Sequence, residues 1–482
     1  MGFIGQTRSQ VELASRLALT TLTTVGMVFA FSSPVAAQTP PPDATKTVEL
    51  SKIIQEAQNF YNQGETKARD ARYREALEDY NQAIQRNPSL STAYVARGIV
   101  RSRLGDRDGA IQDLNQAIVM NPADAIVYAH RGGIRYNLGS LEAAIDDLNK
   151  AIELDPTLAA AYVNRGYIKS QVQNMEGALA DFEKALQFQP TYAPALLNRG
   201  YVKFSNGDRD GALDDLNQAI KLQSSYAEAF LIRGTLRHDM GEAEAAIDDI
   251  SQAIRLKPNY IAAYFSRAAT HSKLGNLEAA QADYTQVVQS SPDQPDAFHQ
   301  RGLIRAALGD EQGAMDDYNQ ALRLKADYAD ALKSRGDLRA ALGDRPGAIA
   351  DYDQSLLAQP TLTSAYAARA SVRSQLGDKP GAVADYTQAV NYNSSDPNAY
   401  QERGRARMQI GDVPGAIEDF SQALQLNVNS AEAYYHRGVL LARSGNRQAA
   451  YTDLQKAATL YRQDSDAEGY RNSLNTLNQL RR

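Results

Sequence analysis

Arginine and aspartate recur in this chain at one fixed spacing, and they are the residues with the most chemistry to offer. Arg97 returns as Arg131, Arg165, Arg199, Arg233, Arg267, Arg301, Arg335, Arg369, Arg403 and Arg437, and Asp113 returns as Asp147, Asp181 and so on to Asp419 and Asp453. A guanidinium can meet a carboxylate through two parallel hydrogen bonds, which lysine cannot do. Arginine is not replaced by lysine at any of the eleven successive positions. The spacing predicts a pair joining each arginine to the aspartate of its own repeat or of the preceding one. Such chemistry is cohesive: it holds helices together and transforms no substrate.

Groups that could transform a substrate are scarce. The five histidines, His130, His238, His271, His299 and His436, fall at four different places in the repeat and form no HExxH pair. His238, His271 and His299 lie in consecutive first helices, where a metal site is geometrically conceivable, but scattered polar residues on a helix face explain them more simply. There is no GxxxxGK[ST] phosphate loop. With no cysteine, thiolate catalysis, disulfides and cysteine-ligated zinc are excluded. Carboxylates are abundant, yet they repeat with the units, whereas an active site needs a unique constellation. Arg335-Gly336-Asp337 and Asn393-Ser394-Ser395 match short adhesion and glycosylation patterns by coincidence with the repeat. The expectation is no enzyme, no metal and no small-molecule cofactor.

The elements that carry these residues follow from the period. Shifted by 34 residues, the stretch 91–124 matches itself repeatedly, which marks a repeat architecture. Division gives twelve units: 57–90, 91–124, 125–158, 159–192, 193–226, 227–260, 261–294, 295–328, 329–362, 363–396, 397–430 and 431–464. In the unit 91–124, Ala93, Tyr94, Val100 and Leu104 recur at helical spacing, as do Ala110, Ile111, Leu114, Ala117 and Ile118. Gly105 ends the first helix and Asp106 stands where an N-cap is wanted. Pro346, Pro380 and Pro414 open second helices, while Pro122, Pro156, Pro190, Pro258, Pro292 and Pro360 stop them. Residues 465–482 keep helical spacing through Tyr470, Leu474, Leu477 and Leu480 and are expected to form a capping helix.

These positions resemble the tetratricopeptide repeat. Tyr94 falls on that family's first aromatic, Gly98 on its close-packing glycine, Ala110 and Ala117 on its alanines and Pro122 on its terminal proline. The resemblance spans 57–464 and implies an all-α fold, a right-handed α-α superhelix of twelve helix-turn-helix repeats. The chain departs from the family at Arg97, Arg101 and Asp113, where apolar or aromatic residues are usual, so it looks like an Arg/Asp-rich variant of the bacterial exported type. The family lines its concave face with first helices, at positions equivalent to Thr92, Val95, Ile99, Ser102 and Arg103. Carried through the chain, those positions give an apolar stripe of Tyr136, Val163, Tyr167, Leu197, Tyr201, Phe204, Leu231, Phe265 and Leu303. In later units they turn small or polar, as at Lys333, Asp337, Ala340, Ser371, Ser374 and Gln401. No position equivalent to Ile99 is asparagine, so the family's trap for a C-terminal carboxylate is missing.

Composition narrows the partner and the compartment. Apolar residues make up 43% of the chain and charged residues 22%, a folded composition, and the net charge of −6 argues against nucleic acid. Residues 1–37 read as a signal peptide: Arg8 and Arg16, an apolar run from Leu17 to Phe31, then Val35-Ala36-Ala37. That run is shorter than a bilayer span requires, so a membrane is expected only if the segment stays uncleaved. Residues 38–46, with three consecutive prolines, form a linker, and helix is expected from Thr47. The sequence thus points to an exported protein, in the periplasm or a comparable lumen, that binds a protein or peptide in a groove. The alternative is an assembly scaffold that uses its ends or its convex surface.

Overall fold

The structure is a computed structural model and describes residues 44–481. The expected signal peptide, residues 1–37, and residues 38–43 of the linker lie outside the described residues. Helix begins at Ala44, ahead of Thr47, so residues 44–46 belong to the first helix and not to the linker. The fold is all-α: the described residues form helical hairpins in two compact units, 1–276 and 277–482.

In the first unit the helices are α1 (Ala44–Arg69), α2 (Tyr73–Arg86), α3 (Ser91–Arg103), α4 (Arg107–Met120), α5 (Ala125–Asn137), α6 (Leu141–Leu154), α7 (Ala159–Gln171), α8 (Met175–Phe188), α9 (Ala193–Ser205), α10 (Arg209–Leu222), α11 (Ala227–Met240), α12 (Ala243–Leu256) and α13 (Ile261–Lys273). The second holds α14 (Leu277–Ser290), α15 (Pro295–Ala307), α16 (Glu311–Leu324), α17 (Ala329–Ala341), α18 (Arg345–Ala358), α19 (Thr363–Gln375), α20 (Lys379–Tyr392), α21 (Pro397–Ile410), α22 (Val413–Leu426), α23 (Ala431–Arg443), α24 (Arg447–Gln463) and α25 (Ala467–Arg481).

The hairpin α3–α4 shows why the chain folds this way. α3 ends because Gly105 adopts φ +92°, and the amides of Gly105 and Asp106 close back on the carbonyls of Ser102 and Arg101 at 3.1 and 2.9 Å. That is a glycine-terminated cap, which satisfies carbonyls a helix end leaves free. Asp106 then caps α4 by accepting from the Gly109 amide at 2.9 Å. Small residues set the helix separation. A Cβ on Gly98 would lie 3.2 Å from both Ala110 O and Leu114 Cγ, and Ala110, Leu114 and Ala117 are fully buried. Each hairpin then stacks its first helix on the second helix of the hairpin before it, and α25 stacks on α24 in the same manner.

Candidate protein-interaction site

The Arg–Asp series fixes the first helices that form the inner face. Arg97 donates to Asp113 through Nε at 2.9 Å and Nη2 at 2.6 Å, so the pair lies within one repeat. The guanidinium has a third use. Its Nη1 donates to Asn81 Oδ1 of the preceding hairpin at 2.8 Å, and Arg131, Arg165, Arg233 and Arg335 reach Asn115, Asn149, Asn217 and Asn319 likewise. One arginine therefore ties its own hairpin shut and joins it to the one before. Of the two alternatives left open by the spacing the same-repeat aspartate is the one found; the preceding repeat supplies an asparagine instead. A second cation joins most of these clusters: Arg101 donates to Asp113 at 3.0 Å, and Lys203 stands 2.9 Å from Asp215. The carboxylates are buried while the cations keep partial access to solvent; in one pair Asp215 is 2% exposed and Arg199 21%. Arg97 also lies over the Tyr94 ring one turn earlier, 5.4 Å from its centroid.

In the first unit this scaffold divides the expected apolar stripe in two. Tyr136, Tyr201 and Phe204 are half-buried, packed against one core cluster that contains Tyr167, Leu197 and Leu236. Tyr136 meets Tyr167 edge-on, ring centroids 5.8 Å apart. Val163, Leu197, Leu231 and Phe265, in contrast, are fully buried and Tyr167 is 6% exposed. These five are corrections: they are core, not contact surface. Four of them occupy the Val95-equivalent position, and for Val163, Leu197 and Leu231 this is the flank that the next first helix covers. Val163 shares a cluster with Ala195 and Val202 of α9, and Leu231 with Ala262 and Ala263 of α13. The half-buried side chains stand at the Ile99 and Ser102 equivalents, one or two turns further along. Tyr167 forms the floor beneath them, and burial pushes its hydroxyl above the usual phenol range.

Beside this patch His238 is 4% exposed and its Nδ1 lies 2.9 Å from Thr270 Oγ1. Thr270 already donates to Ser266 O at 2.8 Å, so it must accept from His238, which puts the imidazole proton on Nδ1. Burial, with Lys273 nearby, pushes His238 down to about 4.

The second unit's inner positions behave differently. Leu303 is half-buried against Tyr318 and Leu338. Lys333 pairs with Asp337 at 2.6 Å, Ser374 donates to Gln409 at 3.0 Å, and Gln401 accepts from Ser430 at 2.9 Å. His299 is 1% exposed, 3.0 Å from Ser334 Oγ through Nε2, and burial pushes it down to about 4. Among the described residues no cluster of three or more histidines and carboxylates could hold a metal, and no helix is long and apolar enough to cross a membrane.

The geometry is that of a helical-hairpin repeat protein, a class that works by presenting surface. Family comparison places it more narrowly. A TPR repeat model matches residues 132–173 and 404–445, and two tetratricopeptide repeat models match 197–261 with 265–331 and 159–192 with 431–464. Together these stretches cover more than half of the sequence. The chain belongs to the tetratricopeptide repeat family, whose repeats typically serve as non-enzymatic protein-interaction modules. A model of anaphase-promoting complex subunit 5 also matches residues 60–122.

Similar solved structures include the APC/C hetero-tetramer Cut9–Hcn1, at 12% identity over 91% of this chain and 99% of that one, TM-score 0.43. Yeast Tom70 is similar at 13% identity, 89% and 96% coverage and TM-score 0.42. YrrB, a TPR protein with an unusual peptide-binding site, is 25% identical over 39% of this chain and 97% of its own, TM-score 0.34. No curated protein matches the sequence.

The asparagines that receive the third arginine bond escaped the sequence reading. A signal for them existed, since Asn81, Asn115, Asn149, Asn217 and Asn319 repeat with the period.

Proposed function

We propose that this chain is an exported adaptor that holds a protein or extended peptide against the inner face of its first unit. The observation that carries this reading is the half-buried trio Tyr136, Tyr201 and Phe204 on one core cluster with Tyr167 as its floor. Aromatic side chains anchored from below and open above supply contact area at low entropic cost, and such anchors dominate binding energy when a partner desolvates them. The surrounding scaffold is already fixed by the arginine bonds, so little ordering is required when a ligand docks. Export is supported by the apolar run Leu17–Phe31 and the small residues Val35-Ala36-Ala37.

Affinity capture with the mature chain tests the groove. A Tyr136→Ser/Tyr201→Ser/Phe204→Ser variant, shown by circular dichroism to keep its helix content, is expected to lose a partner that the parent retains. Equal retention by both would move binding off this patch and favour the scaffold reading. Amino-terminal sequencing of the protein isolated from its source tests export, with Gln38 expected as the first residue.

A further inference from the structure

Glu65 on α1 is a carboxylate without a cation. Its Oε1 accepts a hydrogen bond from the Tyr80 hydroxyl at 2.7 Å, and Tyr80 is 1% exposed. The arrangement recurs eight periods on, where Tyr352 donates to Asp337 at 2.9 Å. There Lys333 neutralises the carboxylate at 2.6 Å. On α1 the place of Lys333 is taken by Tyr61, whose ring lies 6.0 Å from that of Tyr80. Tyr61 brings no charge, and burial together with the Glu65 carboxylate pushes its hydroxyl up to about 12. Glu65 has no ion pair among the described residues.

Glu65 lines a cavity of about 230 Å³ between α1, α2 and α3. Buried Ala96, Ile99 and Val100 give this cavity an apolar floor, and the Tyr73 ring gives it a wall. Positive charge stands beside the carboxylate rather than on it. Arg69, one helical turn after Glu65, lines the cavity too, yet the two form no ion pair although that spacing favours one. Arg103 also lines it, with its guanidinium 5.5 Å from the centroid of the Tyr73 ring. The second unit has Ala341 and Gln375 at the places of these two arginines. One copy of the carboxylate–tyrosine motif is therefore closed by its own lysine, and the other is left open among arginines.

We infer that this cavity binds a small zwitterion, an α-amino acid with an apolar side chain. The ammonium group donates to Glu65, in the role that Lys333 plays for Asp337. The carboxylate accepts from Arg69 and Arg103, and a guanidinium can meet it through two parallel hydrogen bonds. The side chain covers Ala96, Ile99 and Val100 and removes apolar surface from water. A ligand of one sign would be repelled by part of this lining, whereas one carrying both signs is attracted by all of it. The site is separate from the aromatic patch of the adaptor surface, and each can fail without the other.

The test titrates L-leucine into the full chain by calorimetry, with L-leucinamide and isocaproate as probes that lack the carboxylate and the ammonium group. Saturable binding of leucine is expected, weakened about tenfold or more by Glu65→Gln, by Arg69→Gln and by removal of either charge from the probe. Tyr136→Ser/Tyr201→Ser/Phe204→Ser should leave it unchanged, as should Asp337→Asn in the counterpart motif. Circular dichroism confirms that each variant keeps its helices. The inference is overturned if leucine, isoleucine, valine, methionine and phenylalanine all fail to bind. It is overturned equally if leucinamide or isocaproate binds as well as leucine, or if Glu65→Gln changes nothing. Binding of a leucine-terminated peptide without binding of the free amino acid also overturns it, and would make the cavity part of the peptide surface.

Discussion

Asp215 and Asp79 hold the same place in their hairpins and live in different electrostatic company. Asp215, deep in the first unit, accepts two hydrogen bonds from Arg199 and faces Lys203 at 2.9 Å. Asp79, in the first hairpin, has Gln63 where the arginine belongs and is left with Lys67 at 2.7 Å. Its side chain is 10% exposed against 2% for Asp215. The difference teaches what the arginine series is for. An arginine inside the array closes its own hairpin and joins it to the one before, whereas the first hairpin has no described hairpin before it and keeps only the closing ion pair.

The comparison breaks most visibly by removing the carboxylates. Asp215→Ala strands Arg199 and Lys203 beside a seam built for an anion, and the expected loss is about 3–5 kcal/mol by urea unfolding. Asp79→Ala leaves one partly exposed lysine, and about 1–2 kcal/mol is expected, between the exposed and buried limits. Equal losses would mean that the arginine adds nothing to its hairpin.

Acid probes a different buried group of the array. His299 sits at about 4 in the folded chain against 6.5 for a free histidine. Between those values the unfolded chain binds more protons, so stability is full above pH 6.5, falls as pH drops toward 4 and levels off below. The fall amounts to about 3 kcal/mol for this one group. His299→Gln is expected to flatten the thermal-melting profile of the second unit across that window. A profile with an unchanged slope would show that water reaches the ring.

The smallest effect sharpens the comparison from the other side. Gln63→Arg gives the first hairpin the arginine it lacks, and a gain of about 0.5–1 kcal/mol is expected, seen as slower hydrogen exchange in α1 and α2. No gain would show that the arginine needs a preceding hairpin to be held in place.

Much of this molecule was legible in its sequence. The period, the helix boundaries and the caps follow from local chemistry: Gly105 can adopt positive φ, Asp106 can hold a free amide, and Ala110 and Ala117 let helices approach. The pairing of Arg97 with an aspartate was legible too, because eleven arginines without one lysine require a geometry that only a guanidinium supplies. These are effects within a few residues, or effects repeated often enough to be read as a pattern.

The inner surface was legible only in part. Tyr136 and Tyr201 are half-buried and Val163 and Leu231 are sealed, although the family pattern assigns all four to inward positions. A periodicity states which side of a helix is apolar, but not how much of that side the neighbouring first helix covers. That depends on the distance and tilt between successive helices, which are set by contacts between residues far apart in sequence. For the same reason the exposure of Leu474 could not be read from its spacing, which matches that of the buried Leu440. The local code determined that the helices form and how each hairpin closes; the packing of one hairpin on the next decided which side chains are left for a partner to touch.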